Sequence, residues 1–95
     1  MFLGAFHFDG SVDELSAAYD RLLASYPPDS LLLHVGVTRD GGISVYDACP
    51  SRTVFDEFIG SDQFRGALAA AGLPWPRIEP LGEVLTTRIA QPIPS

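Results

Sequence analysis

Leu31 to Ala48 reads LLLHVGVTRDGGISVYDA. Two apolar runs, Leu31 to Thr38 and Gly42 to Ala48, read as strands joined through Arg39-Asp40-Gly41-Gly42, where the glycines supply the positive φ that a tight hairpin demands. Leu31-Leu32-Leu33 is apolar on consecutive positions, so both faces of its strand are apolar, as in a sheet covered on both sides.

Upstream, Phe2 to Phe8 (FLGAFHF) alternates, with Phe2, Phe6 and Phe8 on one side and Leu3, Ala5 and His7 on the other. Asp9-Gly10 ends this strand. Ser11-Val12-Asp13-Glu14 has the pattern of a capping box, in which Ser11 accepts from the Glu14 amide and Glu14 reaches back to the Ser11 amide. Leu15, Ala18, Tyr19, Leu22, Leu23 and Tyr26 then recur at helical spacing until Pro27-Pro28 stops the helix. Downstream, Ser51 caps a helix carrying Val54, Phe55, Phe58 and Ile59. Gly60-Ser61-Asp62 interrupts that helix, and a further stretch runs to Gly72. Ile78 to Ile89 reads as a last strand, broken or bulged near Pro80 and Gly82, and a proline within it places it at a sheet edge.

The order β-α-β-β-α-β predicts an α+β domain of ferredoxin-like type. It has a four-stranded antiparallel sheet ordered 4-1-3-2, with two helices on one face. Residues 1–90 form the domain and 91–95 an extended tail. A chain of 95 residues, 46% hydrophobic, carries more apolar material than one small sheet and two helices need. A second copy covering the bare sheet face would use the surplus, so a homodimer is expected.

The net charge is −6, and the six basic residues are all arginines, scattered along the chain. Nucleic acid and anionic membranes would meet net repulsion, so neither is expected as a partner. Cys49 is the single cysteine, which excludes an intrachain disulfide and a cysteine-rich zinc site. No apolar run reaches the roughly 20 residues of a membrane span, and no basic n-region with a long apolar core opens the chain. The expectation is a cytoplasmic protein.

The stretch from His34 through Asp40-Gly41-Gly42, Val45 and Asp47 to Ser51-Arg52, then Phe55, Phe58, Ser61-Asp62, Phe64 and Ala71-Gly72-Leu73-Pro74, resembles the dimeric α+β-barrel superfamily. Within it the likeness is to small antibiotic-biosynthesis-monooxygenase-like proteins, and it covers Leu31 to about Val84. The resemblance implies a dimeric barrel and a cofactor-independent monooxygenase or cyclase acting on an aromatic or polyketide-like substrate. Cys49 stands where the family often has a tryptophan. Where haem-degrading relatives place a tryptophan and an axial histidine, this chain has Phe58 and Leu68. Leucine is no haem ligand, so no cofactor is expected, and Phe58 and Leu68 become candidate pocket walls.

His34 and Asp47 are the candidate catalytic pair, His34 as base and Asp47 as its orienter. With Asp40-Gly41 as a two-residue loop, His34 faces Asp47 across the hairpin, and the carboxylate would hold one imidazole tautomer. With a three-residue loop Val35 faces Asp47 instead, and the pair falls on opposite faces. His7, Tyr46 and Tyr19, with Phe58 and Leu68, are candidate substrate contacts. Two histidines without a third ligand make a poor metal site. A non-catalytic homodimer that binds a small hydrophobic or aromatic ligand is the other reading of the same residues.

Overall fold

The computed structural model describes residues 1–26 and 32–88. Its elements are β1 (Phe2–Asp9), α1 (Val12–Ala24), β2 (Leu33–Arg39), β3 (Gly42–Cys49), α2 (Arg52–Ile59), α3 (Asp62–Ala71) and β4 (Arg77–Glu83). The four strands form one open antiparallel sheet ordered β2-β3-β1-β4. No helix among the described residues is long and apolar enough to cross a membrane.

Local chemistry explains most of the boundaries. Ser11, Ser51 and Ser61 each accept, through the side chain, from the amide three residues on, capping α1, α2 and α3. Glu14 makes no return bond among the described residues, so the expected capping box is half-formed at Ser11. Gly60 and Ser61 divide the second helical stretch in two. Gly72, at φ 86°, closes α3 in the left-handed conformation, and the Leu73 amide reaches Leu68 O at 2.9 Å. Gly41 takes φ 82° and no other hairpin residue has a positive φ, so the turn is not of type I′, which needs two.

β2 runs from Leu33; Leu31, the start expected for it, lies outside the described residues together with Pro27-Pro28 and the 91–95 tail. β4 is shorter than the sequence reading, ending at Glu83; the Ile89 end assigned to it is also outside the described residues. Pro80 does sit on the edge strand, where proline is tolerated. The expected irregularity is present: Gly4 pairs with Pro80 but Leu3 with Gly82, so Leu81 is the extra residue of a bulge.

One sheet face carries Phe2, Phe6 and Phe8 of β1 with Ile43, Val45 and Cys49 of β3. These join Leu15 and Ala18 of α1, Phe55 of α2, and Phe64, Leu68 and Ala71 of α3 in one core. All three helices therefore lie on that face. Phe55 is fully buried, its ring tilted against Phe2 and Phe6 at centroid distances of 5.4 and 6.0 Å. A Cβ on Gly4 would run into that ring, so Gly4 is the gap through which Phe55 reaches the sheet. Among the described residues no helix lies on the opposite face, and Val35 and Val37 on it are 42% and 41% exposed.

Phe55→Ala is expected to cost about 3–5 kcal/mol, read as a lower urea midpoint at unchanged slope. Gly4→Ala should cost less in a Phe55→Leu background than in the native chain, a coupling that a double-mutant cycle measures. At the sheet's end, hydrogen bonds from Arg77 and then Arg39 hold the exposed Asp9 carboxyl down to about 2. A depressed carboxylate contributes fully above its unfolded value near 3.8 and loses that contribution as pH falls toward 2. Arg77→Ala should flatten the acid limb of a stability–pH curve, and added salt should shrink the difference.

Candidate functional site

The β2–β3 ladder settles the pairing: His34 faces Asp47, Gly36 faces Val45 and Thr38 faces Ile43, all on the helix side of the sheet. The loop is the two-residue one. His34 Nδ1 bonds Asp47 Oδ1, and His34 Nε2 bonds the Tyr19 hydroxyl, which comes from α1. The Tyr19 and His34 rings lie nearly parallel, 12° apart.

The hydrogen bonds assign the tautomer. A carboxylate oxygen only accepts, so His34 donates from Nδ1 to Asp47, and Nε2 is left to accept from the Tyr19 O–H. Burial, with the Asp47 and Asp20 charges, pushes the Tyr19 phenol up and keeps it a donor. The result is a continuous chain, Tyr19 to His34 to Asp47. Both ring nitrogens of His34 are engaged within it. Asp47 Oδ2 takes no hydrogen bond among the described residues.

Gly36 makes the chain possible. A Cβ there would stand 2.6 Å from the Tyr19 hydroxyl oxygen, so β2 must be bare at this point for the phenol to lie across it. The sequence reading passed over Gly36, though a glycine inside an otherwise β-branched strand signals close approach by another group.

His34 and Asp47 line a cavity of about 780 Å³ between the sheet and the helices. Its walls include Phe6, Val45, Leu22 and Val54, together with Phe58 and Leu68, the two positions singled out as pocket walls. Tyr26 and Cys49 add a hydroxyl and a thiol. The Tyr26 oxygen is buried without a hydrogen-bond partner among the described residues. For both groups burial acts first and the Asp47 charge second, and both raise the pKa. Cys49 is therefore held as a thiol. Tyr19 borders a separate, smaller groove of about 220 Å³ with Ser16, Asp20 and Thr38.

His7 and Tyr46 are not in this cavity. They lie on the open sheet face, ring edge to ring face at 6.4 Å. There Arg39 Nε donates to Ser44 Oγ at 3.0 Å, Ser44 Oγ meets His7 Nδ1 at 2.8 Å, and His7 Nε2 meets Glu79 at 2.9 Å. One residue from each strand thus forms a polar stripe across this face, beside the Arg77–Asp9 pair. Among the described residues no group of three or more His, Cys, Asp or Glu side chains is placed to hold a metal ion.

Comparison with protein-family profiles, curated proteins and solved structures finds no significant match to this chain. The geometry carries the functional argument alone.

Nitrogen NMR of His34 should show Nδ1 protonated and Nε2 as acceptor. Gly36→Val, which pushes the phenol away, should remove the acceptor signature at Nε2 and leave Nδ1–H in place. Tyr19→Phe should do the same and cost about 0.5–1.5 kcal/mol of stability. An Nε2–H tautomer in the native chain would contradict the donor assignment.

Proposed function

We propose that this chain is a homodimeric small-molecule enzyme of the dimeric α+β-barrel kind. It would act as a cofactor-independent monooxygenase or cyclase on an aromatic or polyketide-like substrate. The observation that carries this is the Tyr19–His34–Asp47 chain opening, at its Asp47 end, onto an apolar cavity large enough for a small aromatic molecule. Such chemistry needs a positioned base, an apolar enclosure and exclusion of water. Asp47 is the member of the chain with an oxygen left to meet a substrate proton. His34 steadies that carboxylate, and Tyr19 fixes the His34 tautomer.

The strand order supports the ferredoxin-like assignment, since counted from the β4 edge it runs 4-1-3-2. The uncovered sheet face with Val35, Val37 and Tyr46 supports a second copy as its cover. One observation favours the alternative, a ligand-binding homodimer without chemistry: both His34 nitrogens already have partners inside the chain. Under that reading the three residues are a satisfied polar network that stiffens the cavity wall.

Native mass spectrometry of protein gently purified from its own cells separates the readings. The expected result is a dimer carrying a small aromatic adduct. With that compound as substrate, Asp47→Asn should lower turnover about 10²–10⁴-fold while binding persists. Binding with no turnover in the native chain favours the non-catalytic reading, and a monomer refutes the covered sheet face.

A further inference from the structure

The charge inside the cavity is one-sided. Among the described residues Asp47 is the only carboxylate that lines it, and no arginine does. Arg21 donates to Ala71 O on α3; Arg39 and Arg77 hold Asp9; Arg52 and Arg65 pair with Asp56 and Asp62 on the outer helices. Arg52 also lies over the Phe2 ring, but none of these guanidinium groups lines the cavity. The remaining polar lining groups are His34, which directs Nδ1–H at Asp47, the Tyr26 hydroxyl and the Cys49 thiol. Burial first and the Asp47 charge second oppose ionisation of both Tyr26 and Cys49. The chain's net charge of −6 adds to that charge in sign.

A ligand anion in this space would meet a second negative charge at short range with low-dielectric walls around both. A ligand that brings a proton donor would instead satisfy the unused Asp47 Oδ2, and a cationic donor would also neutralise the charge.

Resting on the cavity reading above, we infer that Asp47 sets ligand selectivity: the site takes flat apolar molecules bearing an ammonium or hydroxyl donor and rejects their carboxylate counterparts. Asp47 then ranks ligands by charge before it acts on any of them. The apolar walls, including Phe6, Phe58, Phe64 and Leu68, accept the ring without discriminating among its substituents.

Titration calorimetry at pH 7 with three probes sharing one ring system tests this: 2-naphthylmethylamine, 2-naphthol and 2-naphthoate. The expected order of affinity is amine, then naphthol, then naphthoate, with at least about tenfold between the first and last, the ratio that 1.4 kcal/mol represents. Asp47→Asn keeps the shape and removes the charge, and should collapse the spread to what the net charge alone leaves. Because loss of that carboxylate also disturbs His34, Val54→Arg provides a second variant. Val54 is 40% exposed at the cavity wall, and an arginine there should narrow the gap by strengthening naphthoate. Naphthoate binding as tightly as the amine in the native chain, or an order unchanged in both variants, overturns the selectivity and leaves the cavity standing. Failure of all three probes to bind at millimolar concentration overturns the cavity reading and the selectivity with it.

Discussion

The pairing register of the β2–β3 hairpin governs everything else at the site. Because side chains alternate along a strand, a slip of one residue would send His34 to the opposite face from Asp47. It would also move Gly36 away from Tyr19. Asp40-Gly41 prevents the slip by closing the turn in two residues, with Gly41 absorbing the one positive φ. Arg39 reinforces the closure by bonding Phe8 O and Asp9, which ties the turn to the end of β1. A two-residue loop thus decides which polar groups share the cavity and which lie on the open face.

The second dependency is steric. Gly4 pairs with Asp47 across β1 and β3, and His34 pairs with Asp47 across β2 and β3. The three sit in one row across the helix face. At one end of the row the missing side chain admits Phe55, and at the other the His34–Asp47 pair faces open space. Gly36, one row along, admits Tyr19. Two absent side chains thus let a helix-borne aromatic lie directly on the sheet, one serving the core and one serving the polar chain. Between them the helices stand off far enough to leave a cavity.

Much of this was legible in the sequence because it is local. Phenylalanine alternation in β1, serine caps, Gly72 and the Asp-Gly turn each act over a few residues, and the structure contains all of them. The edge position of Pro80 followed from its missing N–H. The turn chemistry left two registers open, and only one brings His34 to Asp47, so the pair was conditional until the ladder was seen. What did not read through was side-chain reach across elements. Tyr19 was one apolar-stripe residue of α1 among several, and nothing local says that it crosses to β2. His7 and Tyr46 were grouped with the site on residue type, yet strand alternation puts both on the other face. The Glu14 return bond failed for a different reason, since an exposed carboxylate gains little by leaving water for an amide.

The cavity also has a bearing on how the folded state is held. A domain of 95 residues has a small core, and a void in it forgoes the dispersion contacts that a filled interior would supply. A molecule that binds only the folded chain restores them and shifts the equilibrium by mass action, by about 2.7 kcal/mol at a hundredfold excess over its dissociation constant. The melting temperature is then a property of the solution as much as of the chain. Were the proposed ligand to bind there, protein recovered from cells rich in it would outlast the same polypeptide made in a foreign host.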